Sequence, residues 1–124
     1  MRLGIDLLET HELDRLGERA WFNRYVFAAG ELAEAGALSA SRRREFLAGR
    51  FAAKEAVLKV LGRGFFQGVL PCDIRLGRDD LGAPEVSLAG TAGRAARAAR
   101  ITDITVSISH KADLIAAVAV GWRQ

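Results

Sequence analysis

Five side chains in this 124-residue sequence have the types and spacing for chemistry on phosphate groups: the carboxylates Asp6 and Glu55, and the cations Arg50, Lys54 and Lys59. Carboxylate oxygens are the hard donors that magnesium takes, commonly from one or two side chains, with waters and substrate phosphates completing its octahedron. Fixed cations beside such an ion would neutralise phosphate charge. The same residues also have ordinary structural readings. Glu55 and Lys59 are four apart, the spacing of a common helix salt bridge, and Asp6 can be satisfied by a backbone amide.

Other chemistries fit the sequence less well. Gly62-Arg63-Gly64 follows a predicted helix rather than a strand, which is the wrong context for a P-loop or dinucleotide loop. His11 and His110 are too few, and wrongly spaced, for a zinc hydrolase. Cys72 is the only cysteine, so the chain cannot close a disulfide on itself, and no histidine near it in sequence suggests a thiolate nucleophile. It reads as a small buried hydrophobe.

The elements that must position the five residues follow from periodicity. Arg2 to Leu8 alternates as a strand, with Leu3, Ile5 and Leu7 on one face and Gly4, Asp6 and Leu8 on the other. His11 to Leu38 predicts short helices, interrupted at Gly17, Gly30 and Gly36. A longer helix is predicted from Arg42 to Leu61, capped by Ser39 or Ser41 and stopped by Gly62 and Gly64. On it Arg50 and Lys54 share one stripe, and Glu55 and Lys59 another. Cys72 to Leu76 and Glu85 to Leu88 read as a hairpin across the turn-rich Gly77 to Pro84, and Thr91 to Arg100 as a helix capped by Thr91. Ile104, Val106 and Ile108 alternate with polar residues, and after a break at His110 to Asp113 a strand follows over Leu114 to Gly121. Helices first and adjacent strands later predict an α+β fold in a single domain, residues 1–124.

Half the residues are hydrophobic and the formal charge is +3, with eighteen Lys and Arg against fifteen Asp and Glu, which suits an anionic partner. Arginines gather at Arg42, Arg43, Arg44 and Arg50, and again at Arg94, Arg97 and Arg100. A small nucleic-acid binder would use such groups, but Phe46, Phe51, Phe65 and Phe66 read as core rather than as a base-stacking platform, so no nucleic-acid partner is expected. Apolar runs such as Leu114 to Val120 fall far short of the roughly 20 residues that cross a bilayer, so no membrane partner is expected. The N-terminal run carries Asp6 and lacks the order of a secretion signal, so the expected location is cytoplasmic.

Three separated motifs carry a resemblance. Gly4-Ile5-Asp6-Leu7-Leu8-Glu9, Arg50-Phe51-Ala52-Ala53-Lys54-Glu55-Ala56-Val57-Leu58-Lys59-Val60-Leu61-Gly62, and Val106-Ser107-Ile108-Ser109-His110 together resemble the holo-acyl-carrier-protein synthases, the short trimeric type of the 4'-phosphopantetheinyl transferase superfamily. Weaker matches at Arg24 to Phe27, Glu31-Leu32, Asp73-Ile74, Gly82-Ala83-Pro84 and Ile115 to Val120 extend the likeness over nearly the whole chain.

The resemblance implies the family's α+β fold, a homotrimer with active sites between subunits, and transfer of 4'-phosphopantetheine from coenzyme A to a serine of an apo acyl carrier protein. Adenosine 3',5'-bisphosphate would leave, and the carrier would belong to fatty-acid or polyketide synthesis. It also implies residue roles. Asp6 and Glu55 would hold Mg2+, with Glu55 and Lys59 catalytic. Arg50, Lys54, Lys59, Gly62, Gly64, Pro84, Ser109 and His110 would line the coenzyme site, and Arg15, Arg19 and Arg24 would dock an acidic carrier. One position departs from the family: an arginine is common six residues beyond the metal aspartate, where this chain has Glu12. A non-catalytic homologue that binds only the carrier or coenzyme A is the alternative within the same fold.

Overall fold

In the computed structural model, which describes residues 1–124, the chain begins with β1 (Arg2–Glu9), followed by 3-10 turns at Thr10–Leu13 and Leu16–Glu18. Next come the helices α1 (Ala20–Val26), α2 (Ala29–Gly36) and α3 (Ala40–Val60), and then a 3-10 turn at Pro71–Asp73. The hairpin β2 (Ile74–Arg78) and β3 (Pro84–Leu88), the helix α4 (Gly90–Ala99), and the strands β4 (Ile101–Lys111) and β5 (Leu114–Arg123) complete it. All strand pairing is antiparallel: β1, β5 and β4 form one sheet in that order, and β2 with β3 a second. The α+β expectation holds.

α3 lies on the inner face of the three-stranded sheet, and small residues on both sides let the two approach closely. The helix offers Ala48, Ala52 and Ala56; the sheet offers Gly4, Ala117 and Ala119. A side chain at Gly4 would overlap the Ala56 carbonyl oxygen, so only glycine fits there. This contact matters to chemistry because Asp6 follows Gly4 on the same face of β1, and Glu55 precedes Ala56.

Several sequence expectations are corrected. The break predicted at His110 to Asp113 shrinks to Ala112 and Asp113, and His110 sits within β4 opposite Ile115. Thr91 does not cap α4, whose N-cap is Ala89. Its hydroxyl instead donates to Asp73 Oδ2 at 2.6 Å and accepts the Leu70 N–H at 2.8 Å, tying α4 to the chain that follows α3. Ser39 occupies the N-cap of α3, but its side chain makes no capping bond. Gly30 lies in the first turn of α2 rather than interrupting a helix. Phe51 and Phe65 pack on the core as expected, whereas Phe66 is 74% exposed and stacked 4.7 Å from Tyr25, with its N–H donated to the Tyr25 hydroxyl.

The outer face of the sheet was not expected to be open. Leu3, Ile5 and Leu7 are each more than 60% exposed, and Val118 stands beside them on β5. Such a contiguous apolar patch marks an interaction surface.

Candidate functional site

Asp6 points from the inner face of β1, opposite Ala117, with its side chain 17% exposed. Lys59, in the last turn of α3, donates from Nζ to the Ile5 carbonyl at 2.6 Å and lies 3.7 Å from Asp6 Oδ1. The expected Glu55–Lys59 helix pair is therefore replaced by a link from helix to strand. Glu55, one turn earlier and half-buried, has no ion-pair or hydrogen-bond partner in the chain.

The electrostatics of this group favour a cation. Burial raises the Asp6 carboxyl above its ordinary range; Lys59 opposes that and the charge of Glu12 adds to it. Burial likewise raises Glu55, reinforced by the negative charge of Asp6 and opposed by Lys59. Two desolvated carboxylates that repel each other hold their protons longer than free ones, and a divalent ion between them would relieve both effects. No three Asp, Glu, His or Cys side chains gather as a metal site anywhere in the chain. A metal here would take two protein oxygens and find its remaining ligands elsewhere, a donor set that suits magnesium.

A second group lies on another flank of α3. Arg50 and Glu55 are five residues apart, which at 3.6 residues per turn sets them about 140° apart around the helix. Arg50 faces a cleft of about 510 Å³ that it shares with Arg42, Arg78, His110, Pro84 and Phe46. The Arg50 guanidinium lies 4.4 Å from the centre of the Phe46 ring, and His110 Nε2 is 3.2 Å from Glu45 Oε1. Asp6 and His110 point to the same side of the sheet from its two outer strands, β1 and β4, separated by roughly 10 Å of strand spacing and by α3 itself.

Lys54, expected to face the coenzyme, does not. Its side chain is fully buried, and its ammonium is 2.7 Å from Glu31 Oε1 and donates to the carbonyls of Pro71 at 3.0 Å and Ile74 at 2.5 Å. With all three N–H groups directed at protein oxygens, none is left for a ligand. Lys54 instead locks α2 and the start of β2 onto α3. Burial lowers its pKa, and the Glu31 carboxylate holds the charge against that shift.

The remaining predicted residues fall in three places. Gly62, with φ +73°, closes α3 by donating to the Lys59 carbonyl, and Gly64, half-buried two residues on, donates its N–H to Gln67 Oε1 at 2.8 Å. Ser109 alternates with His110 on β4 and therefore faces the outer side of the sheet, away from the cleft. Arg15, Arg19 and Arg24 are exposed around the second 3-10 turn and α1, among the acids Glu12, Asp14 and Glu18. Glu12 closes a capping box by accepting the Glu9 N–H at 2.6 Å.

Sequence reasoning did not single out Arg42, Phe46 and Arg78 for the cleft. Arg42, Phe46 and Arg50 recur every four residues, so their shared helix face was readable. Arg78 carried no signal until the β2–β3 register placed it opposite Pro84.

Comparison with known proteins adds independent information. The sequence profile of the 4'-phosphopantetheinyl transferase superfamily matches residues 2–119. The holo-acyl-carrier-protein synthase of Nitratidesulfovibrio vulgaris is 38% identical over 122 residues, covering 95% of this chain and 94% of its own. Among solved structures, the ADP-bound acyl carrier protein synthase of Plasmodium yoelii matches with TM-score 0.86 and 31% identity, over 98% of this chain and 94% of that one. The Bacillus anthracis holo-acyl-carrier-protein synthase, solved in complex with coenzyme A (3',5'-ADP), matches with TM-score 0.80 and 30% identity over 98% and 96%.

Proposed function

The chain belongs to the 4'-phosphopantetheinyl transferase superfamily, among the holo-acyl-carrier-protein synthases, and from that premise we propose that it transfers 4'-phosphopantetheine from coenzyme A to a serine of an apo acyl carrier protein, with magnesium held by Asp6 and Glu55. The observation that carries this reading is the meeting of Asp6, Glu55 and Lys59 where β1 crosses α3. Two carboxylates with raised pKa stand beside one lysine, a donor set that a phosphate-bound divalent ion would complete.

When bound there, magnesium supplies neutralisation of the pyrophosphate charge that grows as the leaving group departs. The chain's own groups do the rest. Lys59, tethered to the Ile5 carbonyl, presents a positive charge whose position is fixed before substrate arrives. Arg50, Arg42, Arg78 and His110 bind anionic groups of the donor in the cleft. The carrier serine oxygen forms the new bond to phosphorus, the phosphorus–oxygen bond to adenosine 3',5'-bisphosphate breaks, and the serine proton passes through water to the Glu55 carboxylate. No covalent intermediate on the chain is required.

The two groups sit on different flanks of α3, and the exposed Leu3, Ile5 and Leu7 face would be covered by self-association. A homotrimer in which the carboxylate group of one copy faces the arginine cleft of the next satisfies both observations. Carrier docking falls to Arg15, Arg19 and Arg24, interleaved with acids in this chain, so long-range attraction to an acidic carrier is weaker than an all-basic face would give.

The test is release of adenosine 3',5'-bisphosphate from coenzyme A, followed by phosphorus NMR. Release that requires both magnesium and an apo carrier supports the reading. Coenzyme A bound but never consumed, with fatty-acid and polyketide carriers alike, favours the non-catalytic homologue.

A further inference from the structure

Arg50 is buried to 7% exposure, yet it donates a hydrogen bond to no protein group. Its Nε is fully enclosed without a partner, and the carboxylate oxygen paired with it by charge, Glu31 Oε2, stands 3.9 Å away, equally enclosed and equally unpartnered. The other Glu31 oxygen is fully used: Oε1 accepts the Ala28 N–H at 2.9 Å and meets the Lys54 ammonium at 2.7 Å. Glu31 therefore holds one oxygen fixed by α2 and Lys54 and presents the second toward Arg50 across a gap just too long for a bond. Buried polar atoms in a finished structure are nearly always satisfied, so a matched donor and acceptor left apart indicate an arrangement that closes in another state.

The outward side of the same guanidinium shows which state that is. The terminal nitrogens open on the cleft shared with Arg42, Arg78 and His110, and the Phe46 ring supports the plane of the group from one side. Burial and, after it, like charge from Arg78 disfavour the Arg50 cation, while Glu31 and Glu34 on α2 favour it. A planar guanidinium flanked by a ring, with a carboxylate behind its Nε, leaves its terminal N–H pair free for bidentate contact with a phosphate.

We propose that Glu31 is a positioning residue for Arg50: anchored by the Ala28 N–H at the start of α2, its carboxylate accepts the Arg50 Nε–H when an anionic group of the donor occupies the cleft, fixing the guanidinium fork toward that anion. The inference rests on the coenzyme A reading of the cleft and adds to it a residue that never touches the donor. A merely structural role is the competing account, in which Glu31 serves only to neutralise buried Lys54.

Two variants separate these accounts, because Lys54 can be removed from both. Lys54→Met deletes the buried pair but leaves Glu31 held behind Arg50 by the Ala28 N–H, with Arg50 its one remaining cation; Glu31→Gln with Lys54→Met deletes the pair and the carboxylate together. The probe is adenosine 3',5'-bisphosphate, titrated calorimetrically, with steady-state kinetics alongside. Lys54→Met is expected to bind within about twofold of the wild type, and the double variant about tenfold more weakly, the loss typical of an orienting outer partner. KM for coenzyme A should rise by the same factor, with KM for the carrier unchanged. Equal binding by the two variants overturns the inference and leaves the coenzyme reading intact, whereas a wild type that does not bind the bisphosphate overturns both. If the double variant does not fold, the wild type still decides. Its Arg50 Nε–H resonance, assigned by its loss in Arg50→Lys, should move downfield on saturation with the bisphosphate, and an unmoved resonance overturns the inference.

Discussion

Lys59 Nζ lies 3.7 Å from Asp6 Oδ1 and donates to the carbonyl of the residue just before it, so a helix side chain and a strand carboxylate are fixed to each other before any ligand arrives. Removing the ammonium should raise the Asp6 carboxyl further above its ordinary range and leave the site without its fixed cation. Lys59→Met is expected to lower transfer about 100-fold, the scale of losing one preorganised electrostatic contact, and mainly through kcat. Steady-state kinetics read this directly. A Lys59→Met protein with unchanged kcat would show that the tether is only structural.

The carboxylates give a pH-dependent metal response. Both have folded-state pKa values raised above their unfolded ones, so without metal they lose stability as pH rises from the ordinary carboxylate range through the raised values. Protonation also competes with metal, and raised pKa values make that competition begin at higher pH than for ordinary carboxylates. Glu55→Gln is therefore expected to raise the metal-free thermal midpoint at neutral pH while abolishing the increase that magnesium gives the wild type. Scanning fluorimetry with and without magnesium across pH checks both signs.

Gly4 sets the distance between β1 and α3. Gly4→Ala would push a methyl group into the Ala56 carbonyl and is expected to cost about 1–3 kcal/mol of stability, as overpacking does, and to weaken magnesium binding by shifting Asp6. Urea unfolding and metal titration measure the two effects separately. Wild-type values in both would mean that the strand can slide without disturbing the site.

The outer sheet face predicts assembly. Leu3→Asp should yield a monomeric, folded and inactive protein by sedimentation and circular dichroism, because the patch would then carry charge where copies meet. Asp6→Ala and Arg50→Ala proteins, each inactive alone, should regain transfer when refolded together, since a mixed assembly places an intact half from each at one site. Absence of recovery would place both halves within one protomer.

Much of this was legible in the chain. The 2-residue alternation around Asp6 and the four-residue spacing of Glu55 and Lys59 placed the carboxylate group on its strand and helix, because local periodicity determines which face a residue takes. What could not be read depends on packing at a distance. Lys54 belongs to the same motif as Glu55, yet it turns inward because Glu31, 23 positions earlier, and the carbonyls of Pro71 and Ile74 meet its ammonium there. The spacing marked Lys54 as a cation on a functional helix and could not say that its charge is consumed internally. Likewise the alternation of Leu3, Ile5 and Leu7 predicted a strand face but not that this face would remain open.

The most direct measurement is the mass of an apo carrier protein after incubation with coenzyme A, magnesium and the purified protein, with Asp6→Ala and Glu55→Ala in parallel. A phosphopantetheine-sized gain with the wild type that disappears in both variants is the predicted result. An unchanged carrier mass with the wild type, or an equal gain with both variants, would contradict the transferase reading or its metal pair respectively.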